Sequence, residues 1–137
     1  MADVFSKKKR SEIMSRIRSK NTLVEKKVFF YLRKNGVYFQ RHYGKIPGKP
    51  DIALPRKKRA IFIDGDFWHG RDYGKTRERL PSAYWKEKIS QNIARDKRNR
   101  KELKNMGWKV LRVWESQLKK QEARTLRRVI RFIKETD

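Results

Sequence analysis

The stretch that decides the fold is PDIALPRKKRAIFID, residues 50–64. It contains two short apolar runs, which we predict as β-strands over Asp51–Leu54 and Arg59–Ile63. The four residues between them, 55–58, begin with proline and are otherwise cationic, so they favour a chain reversal over a continuing strand. The stretch therefore predicts a β-hairpin.

The flanking sequence supplies helices and further strands. On the N-terminal side, Thr22–Glu25 has the pattern of a capping box that opens a helix ending at Asn35, with Gly36 as its stop. The other predicted elements are a strand Val37–His42, a turn Tyr43–Pro50, a loop Gly65–Pro81, a helix Ser82–Met106, a strand Trp108–Trp114 and an amphipathic helix with Leu126, Val129, Ile130 and Ile133. We predict one compact α/β domain over 22–137, a mixed sheet flanked by helices, preceded by a basic arm and short helix over 1–21.

The composition indicates the class of partner. The chain has 39 Lys and Arg against 15 Asp and Glu, a formal net charge of +24, and a polyanion such as nucleic acid relieves so large a charge. An anionic membrane is the rival, but basic residues run along the whole chain and no segment reaches the roughly 18 apolar residues of a spanning helix. The first residues contain no apolar signal segment, so we expect a cytoplasmic protein. The absence of cysteine excludes disulfides and thiolate metal sites.

The ends of the predicted hairpin strands carry the residues most suggestive of chemistry. Three carboxylates, a histidine and two adjacent aromatics cluster there: Asp51, Asp64, Asp66, Phe67, Trp68 and His69. Carboxylates among so many cations indicate a metal-assisted site, and hard oxygen ligands suit Mg²⁺.

The long helix interrupts its own apolar pattern at one position. Its inward stripe is Trp85, Ile89, Ile93, Asp96 and Leu103, so a carboxylate stands where periodicity requires an apolar side chain. A buried carboxylate without a partner is costly, and we expect Asp96 to pair with Arg100 or with His69. The spacing leaves both partners open.

Each candidate also has a structural interpretation. Glu25 is the last residue of a capping box, and Asp51 follows a proline where turn-forming aspartates are common. A lone histidine such as His69 is more often a surface residue than a catalyst, although its carboxylate and aromatic neighbours favour a function. His42 has no such neighbours in the sequence, and we assign it a structural role. We assign Trp108 and Trp114 to the core.

Four ordered motifs resemble those of a known family. They are Pro47–Asp51, Phe62–Gly70, Trp85–Ile89 with Asn92 and Arg95–Asp96, and Gly107–Glu115. Together they are similar to the Vsr family of very-short-patch-repair mismatch endonucleases, over nearly the entire chain. The resemblance implies a fold like that of the PD-(D/E)xK restriction-type nucleases.

The resemblance also implies roles for individual residues. Asp51 matches the principal Mg²⁺ ligand, and the position of Ile63 supplies a metal-binding backbone carbonyl. His69 matches the general base, and Asp96 matches the carboxylate that orients it. Two further residues, Glu25 and Asp64, match positions around the metals, of which we expect two, and the scissile phosphate.

DNA contacts are implied for a second set of residues. Phe67, Trp68 and Trp85 match aromatics that wedge into the duplex beside the mismatch, although Trp85 also begins an inward stripe and core is its alternative. A short apolar ridge near the N-terminus matches a segment that enters the opposite groove of the duplex. The expected contacts there are the apolar residues Met14 and Ile17 and their cationic neighbours Arg16, Arg18 and Lys20. Arg71, in the Arg-rich loop, is a further expected DNA contact.

The sequence departs from the family at one site. Family members commonly hold a structural zinc through Cys and His, and the matching positions here are Asp66, Arg71, Tyr73 and Ser116. We expect no structural zinc, and we expect contact between Asp66 and Arg71, or packing by Tyr73, to hold the loop instead.

The expected function is Mg²⁺-dependent nicking of one DNA strand beside a T:G mismatch. The resemblance implies a monomeric prokaryotic protein, associated with the nucleoid, whose product passes to a repair polymerase and a ligase. Two alternatives stay open: a restriction-type or junction nuclease without mismatch specificity, and a non-enzymatic basic DNA-binding protein.

Overall fold

The computed structural model describes residues 23–66 and 83–135. Within them the chain forms four helices and four strands. The elements in chain order are α1 Leu23–Lys34, β1 Gln40–Arg41, β2 Ile52–Leu54, β3 Arg59–Asp64, α2 Ala83–Asn105, β4 Lys109–Trp114, α3 Glu115–Lys120 and α4 Glu122–Lys134.

The strands form one mixed sheet in the order β1-β2-β3-β4. The predicted hairpin is confirmed: β2 and β3 are antiparallel, with Ile52 opposite Ile61. Strand β4 lies parallel to β3, with Ile63 opposite Val113. The parallel pair is possible because the connection between β3 and β4 includes the 23-residue helix α2. This helix is long enough to carry the chain back to the end of the sheet at which β3 begins.

Helices cover both faces of the sheet. On one face, α1, α3 and α4 pack over β2, β3 and β4 through a large apolar cluster that includes Phe29, Ile61 and Val129. On the other face, Ala60 and the α2 residue Leu103 belong to a second buried cluster. The structure confirms the predicted α/β class, one mixed sheet flanked by helices.

Glycine follows the ends of two of the predicted helices, α1 and α2. Gly36 has φ +74° and Gly107 has φ +85°, backbone conformations that disfavour other residues. The N–H of Trp108 then donates to the carbonyl of Leu103 at 2.9 Å, which closes the end of α2. Trp108 is 7% exposed, as its assignment to the core requires. Trp114, assigned to the core as well, is only half-buried.

Two elements differ from the prediction. The strand expected over Val37–His42 is limited to Gln40–Arg41, because the N–H of Val37 donates to Leu32 of α1 and His42 takes φ +47°. Helix α3 was not expected after β4. It forms because the side chain of Gln117 accepts a hydrogen bond from the Trp114 N–H at 3.0 Å, and so caps the helix start.

None of the described helices is long and apolar enough to cross a membrane. The predicted arm and short helix over 1–21 lie outside the described residues.

Candidate active site

Strand direction brings the predicted carboxylates to one end of the sheet. Asp51 precedes β2, and Asp64 ends β3, which runs antiparallel to β2. The start of one strand and the end of its antiparallel neighbour lie side by side. The parallel strand β4 ends there as well, with Trp114 opposite Asp64.

Asp51 is fixed against β3 by its own side chain. The last paired residues of β2 and β3 are Ile52 and Ile61, and beyond them the Ile63 N–H donates to Asp51 Oδ2 at 2.7 Å. The carboxylate therefore takes the place of a backbone acceptor and holds Asp51 beside Ile63, the two residues expected to bind metal.

The glycine of the Pro-Gly-Lys-Pro-Asp motif has a packing reason. Gly48 has φ +83°, and a Cβ built on it would lie 3.0 Å from the ring of Phe62 and 3.2 Å from Asn99 Cβ. Only glycine fits this close approach without strain. The turn before Asp51 is thereby pressed onto β3 and α2, which sets where β2 begins.

Three side chains of types that ligate metals, those of Glu25, His42 and Asp51, converge at this end of the sheet. His42 Nδ1 lies 3.7 Å from Asp51 Oδ1, and His42 Nε2 lies 3.6 Å from Glu25 Oε2. One ligand atom from each of the three residues lies within 4.8 Å of the other two. Glu25 and Asp51 were both expected near the metal, and the structure brings them together.

His42 was assigned a structural role from the sequence, and the structure places it between two of the candidate carboxylates, Glu25 and Asp51. Arg41 pairs with Ile52 in the β1–β2 register, so His42 falls opposite Asp51. The His42 N–H indeed donates to the Asp51 carbonyl at 3.0 Å. The register of this strand pair was the signal that could have found it, but β1 has only two residues and too little pattern to predict a register.

The electrostatics of this group favour a bound cation. Burial raises the pKa of the Asp51 carboxyl well above its ordinary value, and the nearby carboxylates of Glu25 and Asp64 raise it further, while the hydrogen bond from Ile63 acts in the opposite direction. An ionised Asp51 therefore lacks sufficient compensating charge from the described residues.

The donor set fits a hard divalent ion. Two carboxylates at one end of the sheet suit Mg²⁺, which is usually held by one or two carboxylates and keeps several waters. The imidazole of His42 is a softer ligand, and contacts of 3.6 and 3.7 Å to the carboxylates suit a residue that orients them.

A second group of charges lies next to the first and centres on Arg112. Its Nε donates to Asp64 Oδ2 at 2.7 Å, and its Nη2 lies 3.4 Å from Asp96 Oδ2. Its guanidinium stacks over the ring of Trp114, 4.1 Å from the ring centre. Arg112 is therefore a partner of Asp96 that was not predicted from the sequence, which offered Arg100 and His69.

Arg100, one of the two predicted partners of Asp96, lies in the same group. It lines a small pocket with Asp64 and Asp96. Burial lowers the pKa of the Arg100 guanidinium, and the positive charge of Arg112 adds to this, whereas Asp96 and Asp64 act in the opposite direction. The other predicted partner, His69, lies outside the described residues.

For Trp85 the sequence left two alternatives open, a DNA-wedging aromatic or a core residue. Its side chain is 0% exposed, and its ring contacts that of Tyr84 edge to face at a centroid distance of 5.1 Å. The structure agrees with the core alternative and not with an exposed wedge. The other predicted DNA contacts lie outside the described residues: Met14, Arg16, Ile17, Arg18, Lys20, Phe67, Trp68 and Arg71.

Two of the four positions that match zinc ligands contact each other. The Ser116 N–H donates to Asp66 Oδ1 at 3.0 Å, and the Ser116 hydroxyl donates to Asp66 Oδ2 at 2.5 Å. A carboxylate at the first turn of α3 is also favoured by the helix dipole. Asp66 thus has a partner that the prediction left out, while the expected contacts of Arg71 and Tyr73 lie outside the described residues.

Comparison with known proteins supports the resemblance. A family model described as DNA mismatch endonuclease Vsr matches residues 2–75. The DNA mismatch endonuclease Vsr of Escherichia coli strain K12 is 36% identical over 126 residues, covering 91% of this chain and 81% of that protein.

Two nicking enzymes are similarly related. The type II nicking enzyme V.NmeAIP of Neisseria meningitidis serogroup A is 38% identical over 140 residues, covering 98% of this chain and 99% of that protein. The type II nicking enzyme V.XorIIP of Xanthomonas oryzae pv. oryzae is 40% identical over 121 residues, covering 86% of this chain and 88% of that protein. This chain therefore belongs to the Vsr family of DNA mismatch endonucleases.

Proposed function

We propose that this protein, an endonuclease by family, uses Mg²⁺ to nick one strand of duplex DNA beside a T:G mismatch. The observation that carries the proposal is the convergence of Glu25, His42 and Asp51 at the end of the sheet. It supplies a preorganised cation site in a strongly basic protein. The product, a nicked duplex, would pass to a polymerase and a ligase, and we propose that the protein acts as a monomer.

The metal would be held by Asp51, by Glu25 and by the backbone carbonyl of Ile63. When bound, Mg²⁺ neutralises negative charge that develops on the phosphoryl and leaving oxygens. His42 orients the two carboxylates through its two ring nitrogens, and the Ile63 N–H holds one oxygen of Asp51 in place.

The base that we propose is His69. It takes a proton from the attacking water, whose oxygen forms the new bond to phosphorus as the bond to the leaving oxygen breaks. Asp96 orients the imidazole of His69 and stabilises its protonated form. Arg112, which contacts Asp96, would keep that carboxylate in place.

Mismatch selectivity is proposed to come from aromatic wedging by Phe67 and Trp68, with the ridge around Met14 entering from the other groove. A wedge separates stacked bases, which costs a few kcal/mol, and this cost is lowest at a mismatched step. Net charge supports the DNA partner independently, because +24 over 137 residues favours the phosphate backbone whatever the sequence.

Replacing Trp68 with Ala is expected to lower the preference for T:G over T:A duplex by about 5- to 150-fold, since stacking on one base is worth roughly 1–3 kcal/mol. The measurement is the ratio of single-turnover nicking rates on the two duplexes. Tyr38→Ala is the matched control, because Tyr38 is an aromatic residue that is 87% exposed and is not among the proposed DNA contacts. An unchanged ratio in the Trp68 variant would count against wedging.

The proposed function is tested by a nicking assay on an end-labelled oligonucleotide duplex. We expect one cut on the T-containing strand of a T:G duplex with Mg²⁺, no cut with a chelator, and much slower cutting of T:A duplex and of a four-way junction. Equal cutting of T:A duplex would instead establish a restriction-type nuclease, and preference for the junction would establish a junction nuclease. If wild type and Asp51→Ala are equally inert with Mg²⁺ and with Mn²⁺ on every substrate, the protein is a DNA-binding protein only.

A further inference from the structure

The acidic residues at this end of the sheet fall into two groups. Glu25 and Asp51 share His42, and their ligand atoms lie within the 4.8 Å group described above. Asp64 and Asp96 share Arg112. Asp64 directly follows Ile63, whose N–H donates to Asp51 Oδ2 at 2.7 Å. It therefore lies within electrostatic reach of the metal group without belonging to it.

The position of Arg112 follows from the strand pairing. Arg112 lies opposite Phe62 in the parallel β3–β4 register, and Asp64 follows Phe62 by two residues. Residues two apart in a strand project to the same face, so Asp64 and Arg112 both project to the face on which Phe62 packs. That face is covered by α2, which carries Asp96.

The contacts of Arg112 are mostly shielded from solvent. The Arg112 side chain is 21% exposed, that of Asp64 is 9% exposed and that of Asp96 is 15% exposed. Charge-assisted hydrogen bonds in such surroundings are strong, and removal of one partner leaves a poorly solvated charge. Stacking on Trp114 limits the guanidinium further, so its donors point in fixed directions.

We propose that Arg112 is a positioning residue that holds Asp64 out of the metal site and fixes Asp96 where it can orient the catalytic base. Three carboxylates within reach of one cation would bind it more tightly, but would also repel the phosphate that must approach it. By pairing with Asp64, Arg112 neutralises the charge of the third carboxylate. The inference deepens the proposed function. The placement of Asp96 rests on that function, whereas the pairing of Arg112 with Asp64 does not.

The test compares four variants: Arg112→Leu, Arg112→Lys, Asp64→Asn and the double variant Arg112→Leu/Asp64→Asn. Three quantities are measured: Mn²⁺ affinity by calorimetry without DNA, single-turnover nicking rate with KM for T:G duplex, and melting temperature. Arg56→Leu is the matched control for loss of one positive charge, because Arg56 is exposed and lies in the β2–β3 turn at the opposite end of the sheet.

Arg112→Leu is expected to bind Mn²⁺ about three- to tenfold more tightly, because the charge of Asp64 is less fully compensated. Its nicking rate should fall by about 10- to 100-fold, while KM for DNA changes no more than in Arg56→Leu. Asp64→Asn should leave Mn²⁺ affinity within about threefold of wild type. The double variant should return Mn²⁺ affinity to the wild-type value, and Arg112→Lys should keep that affinity with an intermediate rate.

Two results would overturn the inference. One is parallel loss of Mn²⁺ affinity, rate and melting temperature in Arg112→Leu, which a purely structural residue would produce. The other is a loss of Mn²⁺ affinity of about tenfold or more in Asp64→Asn, which would make Asp64 a ligand. Should Arg112→Leu fail to fold, Asp64→Asn and Arg112→Lys still decide. Should wild type cut no duplex, the proposed function fails while the Mn²⁺ measurements still test the charge pairing.

Discussion

Replacing Asp51 with Asn is expected to abolish nicking and, at the same time, to stabilise the metal-free protein. Loss of Asp51, the proposed principal metal ligand, would remove several kcal/mol of charge stabilisation in the transition state, a rate decrease of about 10³-fold or more. Stability rises for a separate reason: the folded protein holds the ionised Asp51 in a buried site beside two other carboxylates.

The direction of the stability effect follows from the raised pKa of Asp51. Because its folded pKa lies above its unfolded pKa, the folded state binds the proton more tightly. Stability is therefore highest below the ordinary carboxyl pKa and is lost as the pH rises to the raised value. Asn cannot ionise, so the variant should not lose this stability at neutral pH.

Thermal unfolding with and without Mg²⁺ checks this prediction. Without metal, Asp51→Asn should melt higher than wild type by about 4 °C for each kcal/mol gained. Mg²⁺ should raise the melting temperature of wild type and not that of the variant. Glu102→Gln, a change at an exposed position of α2, is the control and should alter neither rate nor Mg²⁺ response. A destabilised Asp51→Asn protein that still responds to Mg²⁺ would show that the cation binds elsewhere.

Replacing His69 with Ala is expected to lower the rate of the chemical step by about 10²- to 10⁴-fold, the usual contribution of a general base, with little change in DNA affinity. The limb of the pH–rate profile that reports ionisation of the base should also disappear. A change confined to affinity would make His69 a DNA-positioning residue.

The other of the two histidines, His42, provides the matched comparison for His69. His42 contacts the carboxylates of Glu25 and Asp51, so His42→Ala should weaken metal binding by about 10- to 100-fold and recover its rate at high Mg²⁺. His69→Ala should not recover, because the cation does not replace a proton acceptor. Recovery of both variants, or of neither, would remove the distinction between the two roles.

The elements that could be predicted are those with a local signal. Helix α2 was expected over Ser82–Met106 and is found over Ala83–Asn105, because its apolar period and the glycine at 107 are properties of the segment itself. The hairpin was predicted for the same reason, from two apolar runs and a proline-led reversal. The short helix α3 has six residues and depends on a cap from Gln117, so it is too short to show a helical apolar period in the sequence.

The candidate site shows the same division. Asp51, Asp64 and Asp96 were candidates because a carboxylate at a strand end or in an apolar stripe is unusual, and such anomalies are visible along the chain. His42 and Arg112 were not candidates, since the residues next to each of them in the sequence do not suggest a site. Each acquires its place from strand pairing: His42 opposite Asp51 across β1 and β2, and Arg112 beside Asp64 across 48 residues of sequence.

The sequence by itself therefore determined the periodic elements, the class of partner and which acidic residues were exceptional, because periodicity, net charge and local anomalies are properties of neighbouring residues. The tertiary structure alone decided how the charges are shared, with Glu25 and Asp51 facing one histidine and Asp64 and Asp96 facing one arginine. The physical reason is that Coulomb energy depends on distance in space. Those distances are set by strand order and register, which bring together residues that are far apart in the chain.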